Sequence, residues 1–216
     1  MLRLRVKLSR GEELKFISHL DITRLWERAL RRAQVPLAYS EGFSPHPRIS
    51  LAAPLPLGVT SEAELMDVFL ARLVSPHWFQ SSVSRQLPPG MEILGVYQAA
   101  LTMPSLQSQV RYAEYRVELE SEKGLADIKS AVATLLSLEH LPWHHFRDTG
   151  QRNYDLRALV DDLWLIDWGH PYGTIGMRLR CDSGGSGRPE QVALALGFTR
   201  YPHSIHRTRL LLGDSR

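Results

Sequence analysis

The chain has 216 residues, 26 Lys+Arg against 23 Asp+Glu, nine His and one Cys, for a net charge of +3. An apolar fraction of 44% and a charged fraction of 23% are those of a globular protein of one or two domains, which excludes disorder for most of its length. A single cysteine excludes a disulfide framework and any zinc or iron–sulfur site built from cysteines of this chain alone.

Residues 2–8 (Leu-Arg-Leu-Arg-Val-Lys-Leu) alternate with period two and predict a strand with Leu2, Leu4, Val6 and Leu8 on the core face. Ser18-His19-Leu20-Asp21 has the form of a capping box and opens a helix to about Gln34. Ile22, Leu25, Trp26, Ala29, Leu30 and Ala33 give that helix one apolar stripe, and Pro36 ends it. A turn-rich stretch, Tyr39 to Arg48, follows. Strands are expected at 49–53, 64–70 and 91–97, with a helix at 75–85 that carries Pro76 in its first turn. The order β-α-β-β-α-β is the split βαβ arrangement of a ferredoxin-like domain over residues 1–100. Residues 101–110 read as a linker. Residues 111–216 read as a second such domain. It would have strands at 113–120, 143–147, 163–168, 174–181 and 206–212, and helices at 124–138 and 189–196. Leu125, Ile128, Val132, Leu135 and Leu136 would face inward from the first of these helices. The expected fold class is therefore α+β, two ferredoxin-like domains in tandem.

No apolar run approaches the roughly 18 residues that span a bilayer. The opening Met1-Leu-Arg-Leu-Arg-Val-Lys-Leu is unlike a signal peptide. A cytoplasmic location and no membrane partner are expected.

The basic excess is local. Residues 1–50 hold ten Lys/Arg and five Asp/Glu, whereas the remainder holds sixteen and eighteen, so an anionic partner is sought first in the opening quarter. Arg24, Arg28 and Arg31 stand at i, i+4 and i+7 on one helix face, where they could meet several phosphates. Tyr39 and Phe43 could stack on unpaired bases. With Lys15, His19, His46 and Arg48 they make up a candidate RNA-contact surface. The bland alternative has Ser18 and Asp21 capping the helix, the arginines solvating it and Phe43 plugging the core.

Four stretches carry a resemblance: Phe16-Ile-Ser-His-Leu-Asp21, Arg28-Ala-Leu-Arg-Arg-Ala33, Tyr39-Ser-Glu-Gly-Phe-Ser-Pro-His-Pro-Arg-Ile-Ser50 and Pro54-Leu-Pro-Leu-Gly58. Together they resemble the bacterial radical-SAM-linked family, a domain of unknown function encoded beside or fused behind a radical S-adenosylmethionine protein. The match is dense over residues 1–70 and thin afterwards, at Asp155-Leu-Arg157 and Gly187-Arg-Pro189. Leu51 stands where the family pattern has Phe, a departure that touches packing. The resemblance implies a radical-SAM partner that holds S-adenosylmethionine and an iron–sulfur cluster, and an RNA-processing or ribosomal setting. It brings no catalytic residues. With only Cys181, this chain lacks the three clustered cysteines of the radical enzyme and is expected to bind no cofactor itself.

A second signal is Asp182-Ser-Gly-Gly-Ser-Gly-Arg-Pro-Glu190. Gly184, Gly185, Gly187 and Arg188 are a candidate phosphate loop, because glycines let backbone amides approach an anion. No Gly-Lys-Ser/Thr follows, so it is not a nucleotide-hydrolase loop, and a flexible connection is the simpler reading. Paired ferredoxin-like domains with such a loop resemble the repeat-associated RNA-binding proteins of bacterial immunity, some of which cut RNA with a His and no metal. On that alternative, His19 or His46 is the catalytic base on a ribose 2′-hydroxyl, with an Arg stabilising the charge on phosphorus. A purely structural docking partner is the third reading. No metal site is expected. His144 and His145 should point to opposite faces of a strand, and His203 and His206 have ligand spacing only in a helix.

Overall fold

The computed structural model describes residues 1–121, 123–147 and 150–213. The chain is α+β and divides into two compact units, Met1–Val110 with Leu212 and Gly213, and Arg111–Leu211.

In the first unit β1 (Leu2–Arg10), α1 (His19–Arg32), β2 (Ile49–Leu51), β3 (Thr60–Leu70), α2 (Pro76–Ser84) and β4 (Met91–Ala99) follow one another. The strand order is β4-β1-β3-β2, with every pair antiparallel. One face of β1 presents Leu2, Leu4, Val6 and Leu8 to a core shared with Ile22, Trp26 and Leu30 of α1, Met66 and Val68 of β3, and Phe79 of α2. Burial of each such side chain stabilises the fold by about 1.5–3 kcal/mol. Helix α1 stops at Arg32, two residues before the expected end, because Gln34 turns to a positive φ of 55° and closes the helix in the left-handed region.

The first half of the other face of β1 is buried as well, and only from Lys7 does it reach water. Arg3 and Arg5 are 2% and 3% exposed, and both grip Asp67, which is fully buried. Arg5 stands directly opposite Asp67 across the β1–β3 pair. Arg5 Nε donates to Asp67 Oδ1 at 2.8 Å, and Arg3 Nε donates to Oδ2 at 2.9 Å. Burial alone would lower the Arg5 pKa, and the bonds and charge of Asp67 outweigh it, so the guanidinium is held more firmly protonated than usual. Arg3 spends its remaining donors on the carbonyls of Met103 and Pro104, both at 2.9 Å, and Arg5 Nη1 reaches Gln109 Oε1 at 3.4 Å. Residues 101–110 are thus more than a linker. They include α3 (Leu106–Gln109), with Leu106 and Gln109 buried, and their carbonyls complete the coordination of Arg3.

The second unit contains β5 (Val110–Glu120), α4 (Leu125–Ser137), β6 (Pro142–Arg147), β7 (Gly150–Asp155), β8 (Val160–Trp168), β9 (Tyr172–Asp182), β10 (Gly185–Ser186), α5 (Pro189–Ala195) and β11 (Ser204–Leu212). Strands β6 and β7 form a separate two-stranded hairpin. The others run β11-β5-β9-β8, with β10 a two-residue extension on β9. With the hairpin and β10 set aside, the element order and the strand order repeat those of the first unit. Strand β7 is not expected from the sequence, because its Gly-Gln-Arg-Asn-Tyr-Asp has almost no apolar alternation. The helical pattern also predicts Leu125 inward. The structure exposes Leu125 at the first turn of α4, while Ile128 and Leu135 are buried.

Candidate nucleic-acid interface

Helix α1 is aimed by its first turn. Ser18 Oγ accepts the amide of Asp21 at 3.2 Å and donates to the Asp21 carboxylate at 2.7 Å. That hydroxyl bond, with Arg24 and Arg28 nearby, outweighs a small desolvation effect and holds the Asp21 carboxyl below its ordinary range. With Ile22, Trp26, Ala29 and Leu30 buried, the 3.6-residue period turns Arg24, Arg28 and Arg31 outward, and all three are exposed. Arg24 makes one loose contact with Asp21 at 3.4 Å. Arg28 and Arg31 make no hydrogen bond or ion pair among the described residues.

The stretch 39–48 is a closed loop projecting beside β3. Ser40 N donates to His46 O at 2.9 Å and Arg48 N to Ala38 O at 2.8 Å, while His46 N donates to Ser40 Oγ at 3.0 Å. Gly42 lies at a φ of 123°, which favours glycine at the turn. Residues 41–46 are exposed throughout, and the relative exposure of Phe43 is 105%, so it does not plug the core. Arg48 lies 4.6 Å over the ring of Phe69, with Nη1 at 3.5 Å from the sulfur of Met1. Tyr39, Phe43, His46 and Arg48 therefore share one loop, and Phe69 is the fixed platform beneath it. The sequence did not single out Phe69, because the contact depends on strand register.

The two histidines of the catalytic alternative sit at opposite ends of the sheet. His19 lines a cavity of about 20 Å³ with Leu8, Arg10 and Glu64, where Leu8 pairs with Glu64. The His46 loop leaves and rejoins beside the other end of β3, where Leu37 bridges Leu70 and Ile49 pairs with Val68. Leu70 pairs with Leu2, six residues along β1 from Leu8, which separates the two ends by about 20 Å. Lys15 belongs to the His19 end. Its ammonium contacts Glu12 at 2.6 Å and lies over the Phe16 ring, and its carbonyl accepts Gly58 N. Closeness in sequence therefore does not make one compact patch of the nine residues. The structure groups Tyr39, Phe43, His46 and Arg48, places Lys15 and His19 at the far end, and strings Arg24, Arg28 and Arg31 along the helix between them.

Two amides of the glycine loop bond to their own chain. Gly184 N donates to Asp182 Oδ1 at 2.7 Å and Gly187 N to Arg180 O at 2.9 Å. Burial pushes the Asp182 carboxyl up, and Arg180 with the Gly184 and Gly185 amides more than reverses this, leaving it below its ordinary range. A carboxylate thus already occupies the place an anion would take. A Cβ at Gly187 would stand 2.9 Å from Leu159 O and 3.0 Å from Leu179 Cβ, so this glycine permits close packing. Helix α5 after the loop has seven residues, and Arg188 faces Glu190 at 3.7 Å. Of the candidate phosphate loop Gly184, Gly185, Gly187 and Arg188, the Gly184 and Gly187 amides are thus engaged within the chain and Arg188 faces a carboxylate.

His140 Nδ1 meets Asp155 at 2.8 Å, His144 Nδ1 meets Asn153 at 2.8 Å, and His203 stacks on Tyr172 with ring centroids 4.4 Å apart. The side chain of His145 lies outside the described residues. No group of three or more His, Cys, Asp or Glu among the described residues is placed to hold a metal. No helix among them is long and apolar enough to cross a membrane.

Residues 3–189 match the model of a family described as an uncharacterized protein conserved in bacteria (DUF2344). No curated protein matches the chain. Among solved structures it is similar to a chain in the crystal structure of a Cbf5–Nop10–Gar1 complex, with a TM-score of 0.53 at 10% identity over 96% of this chain and 48% of that one. It is similar at a TM-score of 0.48 and 10% identity to a chain in the archaeal box H/ACA sRNP Nop10–Cbf5 complex, over 96% of this chain and 48% of that one. The same score, identity and share of this chain hold for an H/ACA RNP bound to a substrate RNA containing 2′-deoxyuridine, where 47% of that chain is covered. The chain thus spans about half the length of the solved chains it resembles, and the likeness to the first is one of fold.

Proposed function

This chain belongs to the bacterial family DUF2344, and on that premise we propose that it is an RNA-binding accessory protein that presents its RNA to a radical S-adenosylmethionine enzyme. The RNA half is carried by one observation: Arg24, Arg28 and Arg31 form an exposed cationic row on α1, and among the described residues only Arg24 makes an ion pair, a loose one with Asp21. Such a row suits a polyanion, because each neutralised phosphate releases a counterion. The exposed rings of Tyr39 and Phe43 add faces that accept bases without demanding a sequence.

The radical-enzyme half is supported by the resemblance over residues 16–21, 28–33, 39–50 and 54–58. In this reading the partner holds S-adenosylmethionine and the iron–sulfur cluster, and the present chain, whose one cysteine is buried, binds neither. The repeated strand order supports reading the two units as ferredoxin-like domains in tandem.

The test is a mobility shift with total cellular RNA across a salt series, comparing the wild type with Arg24→Ala/Arg28→Ala/Arg31→Ala. Binding should weaken with salt, and the variant's slope of log affinity against log salt should be shallower by about 2. Absence of binding at low salt refutes the RNA half. Failure of the chain to co-elute with any radical S-adenosylmethionine enzyme of the same bacterium on size-exclusion chromatography removes the other.

A further inference from the structure

We propose that Phe43 is a stacking finger for an unpaired nucleobase, with the Glu41 carboxylate accepting an N–H from that base's edge. The inference rests on the RNA-binding reading and specifies which RNA feature the 39–48 loop takes.

Three properties of the loop lead there. First, the Phe43 ring is fully exposed at the tip, although an apolar ring gains from leaving water. Second, the root is tied by the bonds between Ser40 and His46 and between Ala38 and Arg48, and Pro45 and Pro47 stiffen the returning arm. The ring is thus presented on a pre-organised support, and docking loses little conformational entropy. Third, the charges are ordered along the loop. Glu41 is at the tip, where it repels phosphate, and Arg48 is at the root, held over Phe69 and without a carboxylate partner among the described residues. A tip with a ring and an acceptor fits a base, while a root with a fixed guanidinium fits the phosphate that follows it. A base inside a duplex has both faces already stacked, so the ligand is a bulged or looped nucleotide.

The experiment uses the full chain and two RNA hairpins that differ only in one bulged adenosine. The wild type should bind the bulged hairpin about tenfold more tightly than the paired one. Phe43→Ala should remove that preference, bringing the bulged hairpin to the affinity of the paired one. Phe43→Trp should keep the preference, and its added emission should be quenched by the bulged hairpin alone. Glu41→Ala should weaken the bulged hairpin about fivefold. Equal binding of both hairpins by the wild type overturns the finger while RNA binding stands. Binding of neither at low salt instead removes the reading beneath it. A Phe43→Ala variant that keeps the preference but loses the radical enzyme makes the tip a protein contact and also overturns the proposal.

Discussion

Arginines occupy two contrasting settings in the first unit. On β1, Arg3 and Arg5 are buried and bound to one carboxylate and a set of carbonyls. On α1, Arg24, Arg28 and Arg31 are exposed and nearly unpartnered. The same guanidinium is a structural part in one place and a free cation in the other. What decides between them is whether the fold meets its five donors, since a buried charge is tolerated only when paired and hydrogen-bonded.

The sharpest way to break this contrast is Asp67→Ala. It leaves two buried guanidiniums without their carboxylate, and it should cost about 3–5 kcal/mol in urea denaturation. A loss under about 1 kcal/mol would mean that water or rearranged carbonyls replace Asp67, and the two sets of arginines would then differ only in exposure.

Next in size is Gly187→Ala. The added methyl meets backbone and Cβ atoms at 2.9 and 3.0 Å, so about 1–3 kcal/mol should be lost, with RNA affinity per folded molecule unchanged. Reduced RNA binding at full stability would instead make the loop a phosphate contact.

These two positions also mark where the sequence was legible. Period two put Leu2, Leu4, Val6 and Leu8 on one face of β1 correctly, but it says only which residues share a face. Whether the second face is wet depends on what packs there. Here that is Asp67, from 62 residues away, and the chain near Met103. The stripe and cap of α1, and the exposed cations between the stripe residues, were readable because helix geometry is local. Gly187 shows what sequence leaves open, because a glycine needed for close packing looks the same there as one that cradles an anion. His19 and His46 are 27 residues apart in the chain, and only strand register showed that they lie at opposite ends of the sheet.

Smaller again is Ser18→Ala. Loss of the N-cap should cost about 1 kcal/mol. It also removes the largest cause of the low Asp21 pKa, which should rise toward its ordinary value in an NMR titration. A depressed carboxyl contributes stability above its unfolded pKa and loses it as pH falls through the folded one. The difference between variant and wild type should therefore narrow in acid. A difference that stays constant with pH would show that the hydroxyl acts through the amide of Asp21 alone.

The smallest effect separates neighbours on one helix. Arg32 Nε donates to Gln86 Oε1 at 3.2 Å and its Nη2 to Gln86 O at 2.7 Å, whereas Arg31 has no such bond among the described residues. Arg32→Ala should destabilise by about 1 kcal/mol through the lost hydrogen bonds, and Arg31→Ala should stay within about 0.5 kcal/mol. RNA affinity should move the other way, falling with Arg31→Ala and little with Arg32→Ala. Equal behaviour of the two in both assays would mean that the outward row owes nothing to being free, and the contrast with β1 would no longer identify which arginines are available to a partner.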